Sequence, residues 1–202
     1  MIGKAAHKLA MWASEKDISK STSYEGYLYL SEIIVGSTIT YSFLFVIALF
    51  FGIVPQMFTF VLFMSFLRSC AGGYHARSQL HCILLSVITS VFGVMLSILF
   101  SSYAAASILT VVAALSALYI WIHAPINHPD WGLSPNEADK CKTASRAILC
   151  IEFTIIALLF FFNIEGSIIN SAKAGIIAVF LFMALSNTKG GKRNEKGNTE
   201  IE

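Results

Sequence analysis

The sequence predicts an all-α integral membrane protein with about six transmembrane helices, on three observations. The 202-residue chain is 56% hydrophobic and only 13% charged, too apolar for a soluble domain that must spread charge over its surface. Long stretches carry no charge: Ile33 to Leu67, then Cys82 to Asn127 apart from His123, while Ala147 to Ile164 holds only Glu152. A spanning helix needs roughly 20 mostly apolar residues to cross a hydrocarbon core of about 30 Å. Third, the basic residues cluster between the apolar runs.

Residues 2–13 read as a short amphipathic helix: Ile2, Ala5, Ala6, Leu9 and Trp12 share one side, with Lys4 and Lys8 on another. A Trp beside Lys suits a helix lying in the membrane interface. No 7–15-residue apolar core follows the lysines, so it is not a signal peptide. Span one runs from Ile33 to Val54. Pro55-Gln56 interrupts, and the apolar piece Met57 to Leu67 is about 17 Å long, short of the bilayer core. Either it extends past Arg68 toward Ala71 with the arginine snorkelling, or it dips in as a re-entrant half-span. Gly72-Gly73 breaks the helix, so a re-entrant or broken segment is expected there. Span three covers Leu80 to Ser101 and span four Ala104 to Ile122. Ala124-Pro125, Pro129 and Pro135 then open a polar loop to Ser145. Span five is Arg146 to Ile164 and span six Ile168 to Ser186. The expected organisation is one polytopic membrane domain over 1–186 and a disordered basic and polar tail over 187–202.

With six spans and both termini cytoplasmic, the inner segments hold Lys4, Lys8, Lys16, Lys20, Arg68, Arg77, Lys140, Lys142, Arg146, Lys189, Lys192, Arg193 and Lys196. Of the 14 Lys and Arg only Lys173 falls outside. That asymmetry follows the positive-inside rule. The expected location is therefore a cell membrane crossed several times, with the termini and the 68–82 segment on the cytoplasmic side. A net charge of +2 is too small to imply nucleic acid. Cys70, Cys82, Cys141 and Cys150 show no CxxC spacing. Cys70, His75, His81 and Cys82 offer zinc-ligand types, but their spacing closes no site; no metal and no other cofactor is expected.

The chemistry concentrates in Arg68-Ser-Cys-Ala-Gly-Gly-Tyr-His-Ala-Arg-Ser-Gln-Leu-His-Cys82. His75 and Cys82, a base and a thiol, are the minimum kit for cysteine acyl transfer. A thiol at a bilayer edge is normally inert because low dielectric disfavours the thiolate. His75 can take its proton, Arg68 and Arg77 can stabilise the anion, and the start of span three adds free N–H groups. Gln79, one turn before Cys82, can donate to an oxyanion; Ser78 is a further candidate support. An unbroken helix would hold His75 and Cys82 about 10 Å apart along its axis, so the backbone from Gly72 to Ser78 must bend. His81 is the rival base, but it points about 100° away from Cys82. The other three cysteines read as core packing, and His7, His123 and His128 as amphipathic interfacial side chains. Glu152, an acid within span five, either reaches the interface or is functional. Arg77, Lys140, Lys142, Arg146 and Glu152 are candidates for docking a substrate; the basic members also suffice as topology determinants. A small transporter or channel, and a non-catalytic membrane scaffold, are the alternatives to an enzyme.

The motif resembles the signature of the accessory gene regulator B family: an arginine, then Gly-x-His-Ala, then a cysteine seven residues after the histidine. Arg68, Gly73, His75, Ala76 and Cys82 meet it. The Ala124-Pro125 step, the proline-containing polar loop and the Lys/Arg before span five are a second similarity. The resemblance implies a membrane cysteine endopeptidase of quorum sensing in the bacterial cell membrane. Its partners would be a short AgrD-like precursor peptide, the membrane lipid and a second copy of itself. His75 would activate Cys82, which would release the precursor's C-terminal tail and hold a thioester until an internal Cys or Ser closes a thiolactone or lactone. The loop here carries Glu137 and Asp139, which makes it less basic than in some members.

Overall fold

A computed structural model describes residues 2–16, 24–72, 79–100, 102–126 and 135–198. The helices are α1 (Ile2–Lys16), α2 (Tyr24–Phe51), α3 (Val54–Ala71), α4 (Gln79–Leu99), α5 (Tyr103–His123), α6 (Pro135–Phe161) and α7 (Gly166–Asn198). The last six are each long and apolar enough to cross a membrane, so the all-α membrane fold stands.

Several boundaries differ from those read off the sequence, each for a local reason. Proline opens α3 and α6 rather than closing what precedes them: a helix's first turn needs no N–H from that residue. Pro55 lies in the first turn of α3 and Pro135 is the first residue of α6. The short apolar piece thereby becomes an unbroken 18-residue helix, about 27 Å long. The re-entrant alternative is set aside; the helix reaches Ala71, as the other reading had it. Likewise the polar stretch before Arg146 is helical from Pro135. At the C-terminus α7 continues to Asn198, through residues the sequence reads as a disordered tail. Helix α1 forms as expected and packs on α2, burying Ala6 and Ala10, while His7 Nδ1 meets Tyr24 Oη at 3.1 Å.

The architecture centres on α3 and α7, which pair most extensively; α7 also packs on α4, α5 and α6, and α3 on α2, α4 and α6. From Ile169 to Val179 nearly every α7 residue is buried, the mark of a helix surrounded on all sides. Its small residues Ser171, Ala172, Ala174, Gly175 and Ala178 let neighbouring backbones approach, which is how helices associate where hydrophobicity offers no driving force between them. Phe60 of α3 is fully buried and seats against glycines of both neighbours: a Cβ at Gly93 would lie 2.5 Å from its ring, and one at Gly175 3.0 Å from its carbonyl oxygen. Phe43, Val46 and Phe50 on α2, or Leu84, Ile88 and Phe92 on α4, are exposed where lipid tails would cover them.

A buried polar network closes one end of the bundle, where α3 and α7 begin and α4 ends. Gln56 Nε2 donates to Ser167 Oγ at 3.0 Å, Ser97 and Ser171 share a hydroxyl hydrogen bond of 2.7 Å, and Asn170 Nδ2 donates to the Phe100 carbonyl at 2.9 Å. Lys173, only 9% exposed, donates to Asn170 Oδ1 at 3.4 Å. The lone outer lysine of the sequence is thus a buried network member. Replacing Asn170 by alanine strips an acceptor from this buried ammonium and a donor from the Phe100 carbonyl. Unsatisfied buried groups cost about 1–3 kcal/mol, so thermal unfolding in detergent should show a loss of that size, partly restored by Lys173→Met.

Candidate functional site

At the opposite end, α3 stops because Gly72 turns the chain. Gly72 has φ +75° and ψ −159°, a region essentially closed to residues with a side chain. Its N–H caps the helix by donating to the Arg68 carbonyl at 3.1 Å. The Ile126 N–H then donates to the Ala71 carbonyl at 3.1 Å, and Gly72 and Ile126 form a parallel bridge, the one extended pairing among the described residues. Ile126 follows the cis peptide bond Ala124-Pro125 at the end of α5. Two segments more than fifty residues apart, the Gly-Gly turn and the Ala-Pro step, therefore meet as paired backbone.

From this clamp α4 begins at Gln79, with Cys82 at the end of its first turn. The thiol is half-buried, and the helix N-terminus supplies positive potential that favours an anion there. Arg68 lies three residues before the end of α3 and Cys82 three residues after the start of α4. The two helices pack together, so both residues sit about 4.5 Å in from the same end. The Arg68 guanidinium carbon lies 4.2 Å from the centroid of the Phe182 ring of α7. His81 is exposed. His75, Arg77, Ser78 and His128 lie outside the described residues.

The basic rim on α6 divides. Lys140 is exposed and Lys142 half-buried; Lys140 lines a shallow groove with Asp139, Thr143, Ala144 and Ala147. Arg146 instead ties α6 to α5: its Nε and Nη2 donate to the Trp121 carbonyl at 3.4 and 3.3 Å, with the guanidinium 5.1 Å from the Trp121 ring. Glu152 does not reach the interface. It is 4% exposed, and neither carboxyl oxygen has a hydrogen-bond partner. It shares the inward stripe of α6 with Leu149, and α6 packs on α3, α5 and α7, away from the helix that carries Cys82. Cys150 is exposed, and Cys70 and Cys141 are half-buried, so none of the three is the core residue that its type suggests. Phe182 and Ile126 went unnoticed in the sequence, because an isolated Phe or Ile in an apolar run carries no local signal; only Arg68 and the Ala-Pro step hinted that something must meet them.

These features define a multi-pass helical membrane protein whose motif-bearing segments converge at one end. The family model for accessory gene regulator B matches residues 4–186, and the chain belongs to that family. No curated protein and no solved structure matches it. Membership places the protein in quorum sensing and implies an AgrD-type precursor as its partner in the membrane.

Proposed function

We propose that this protein is a cysteine endopeptidase and cyclase acting on that precursor. The observation that carries the proposal is a half-buried thiol, Cys82, in the first turn of α4 beside the Gly72–Ile126 clamp. His75 takes the Sγ proton, and the thiolate attacks the carbonyl carbon at the end of the precursor's signal region. The oxyanion that forms is stabilised by the N-terminal amides of α4, the Gln79 side chain and the Arg68 charge, with Ser78 in support. The C–N bond breaks, His75 protonates the departing amine of the tail, and the acyl group remains on Cys82 as a thioester. An internal Cys thiol or Ser hydroxyl of the precursor then attacks that thioester. Cys82 leaves, regains its proton through His75, and the macrocycle is released. Exchange of one thioester for another needs no ATP, provided water is kept out, as a site at a membrane edge does.

In this reading the site and both termini face the cytoplasm of a bacterial cell, two copies associate in the lipid bilayer, and Arg77, Lys140 and Lys142 receive the precursor, with Arg146 and Glu152 supporting their helix. The test is co-expression with the short Cys-containing precursor encoded beside the gene, read by mass spectrometry. Wild type should remove the precursor's C-terminal tail. Cys82→Ala and His75→Ala should each lower processing by roughly three orders of magnitude, and trapping should place an adduct on Cys82. Processing that survives Cys82→Ala would end this reading and return the protein to the transporter or scaffold classes.

A further inference from the structure

We propose that Phe182 is a positioning residue of the site: its buried ring holds the Arg68 guanidinium at the depth of Cys82. The inference rests on the reading of Cys82 as nucleophile.

An arginine one turn from a helix end at a membrane edge normally extends its head outward to water. Arg68 does not have to. Its neighbours Leu67 and Ala71 are fully buried, so this side of α3 faces the bundle, and its guanidinium lies 4.2 Å from the Phe182 centroid, within the roughly 6 Å range of a cation–π contact. Phe182 is 2% exposed and belongs to the core cluster, so the ring is held by packing and provides a fixed face. A guanidinium laid flat on a ring directs its N–H groups sideways, in its own plane. The helix that carries the ring, α7, packs on both α3 and α4, the helices of Arg68 and Cys82.

The second arginine–aromatic pair supplies the contrast. Arg146 lies farther from its ring, at 5.1 Å; that ring, Trp121, is exposed, and its own carbonyl already takes two of the arginine's N–H groups. That pair is a helix tie at the rim. In the Arg68 pair the ring is desolvated, where such contacts are strongest, and the arginine belongs to the motif-bearing segment. The plainer account is that Arg68 marks the inner membrane face and Phe182 is core packing.

The two accounts separate in the full-length protein in detergent, through the rate at which iodoacetamide alkylates Cys82 at neutral pH, read on the Cys82 peptide by mass spectrometry. A cation held near the thiol raises that rate by favouring the thiolate. Phe182→Leu, which keeps apolar bulk and removes the ring, should slow alkylation about three- to tenfold, the range of a partly desolvated cation–π contact. Phe182→Tyr should restore it. Arg68→Gln should slow it at least as much, and the Phe182→Leu/Arg68→Gln double variant should be no slower than Arg68→Gln alone. In processing assays the Phe182→Leu loss should fall on kcat with KM little changed. If Phe182→Leu lacks a cooperative thermal transition, Phe182→Met carries the test.

An unchanged rate in the folded Leu or Met variant overturns the proposal. So does a Tyr variant as slow as Leu, or a rate indifferent to Arg68→Gln. Alkylation needs no precursor, so this outcome is separate from the peptidase reading: processing that survives Cys82→Ala defeats that reading alone, while Cys82-dependent processing with an alkylation rate blind to Phe182 defeats this inference alone.

Discussion

Gly72→Ala is expected to leave a folded, membrane-inserted protein that has lost most of its precursor processing. Two independent costs fall on that substitution. The backbone at φ +75°, ψ −159° is essentially reserved for glycine, at about 1–3 kcal/mol for other residues. The new Cβ would also stand 2.9 Å from the Ile126 carbonyl oxygen, a backbone atom that cannot rotate away. Relief requires α3 to end differently or the Gly72–Ile126 bridge to part, and either change moves the chain from which the His75–Cys82 segment departs. Positional errors of about 1 Å at a reacting centre cost on the order of 100-fold, so a fall in turnover of that size is the expected result in the mass-spectrometric assay. Gly52 is the control. It too has positive φ, +67°, but nothing lies within 4 Å of its would-be Cβ, and it sits at the far end of α2. Gly52→Ala should therefore lose about 1 kcal/mol of stability and keep its activity. Equal loss of processing in both variants would show that the Ile126 contact is irrelevant to the site.

The largest stability effect is expected at Gly175. Any Cβ there meets the Phe60 carbonyl oxygen and the Phe63 Cβ at 3.0 Å and the Met64 nitrogen at 3.2 Å, so the obstacle is the backbone of α3 itself. The branched side chain of valine can be seated only by separating α3 from α7, the central pair of the bundle. Overpacking of well-filled cores costs about 1–3 kcal/mol, occasionally more, and Gly175→Val belongs at or above about 3 kcal/mol. Thermal unfolding in detergent should show this as a large fall in midpoint. Gly36→Ala provides the comparison: with nothing within 4 Å of its Cβ on mid-helix α2, it should be neutral or stabilising by up to about 1 kcal/mol. A Gly175→Val protein as stable as Gly36→Ala would mean that α3 and α7 are not in close contact.

Both predictions act on glycines, yet they differ in how far the sequence announces them. Gly72-Gly73 is visible as a helix break, because two adjacent glycines between apolar runs have few other uses. Gly175 is not, since a single glycine in an apolar helix can face lipid as easily as protein. Only its setting among Ser171, Ala172, Ala174 and Ala178 hints at close packing. Glu152 shows the same limit from the other side. Its position six residues beyond Arg146 was compatible with reaching the interface, and the direction in which α6 turns its stripe of Ser145, Leu149 and Glu152 decided otherwise.

By itself the sequence determined that the chain is a six-span helical membrane protein, that its chemistry-bearing residues gather at 68–82, and which family signature they form. Span length and charge placement are local quantities set by bilayer thickness and by the cost of moving charge across it, so they can be counted along the chain. The tertiary structure alone decided that α7 is central, that Ile126 pairs with Gly72, and that Phe182 underlies Arg68. Lipid tails are as apolar as a protein core, so hydropathy cannot tell a helix face that meets lipid from one that meets another helix. Which faces meet is settled by shape: where small residues let backbones approach, and where a ring or a carbonyl from a distant segment fills the space that results.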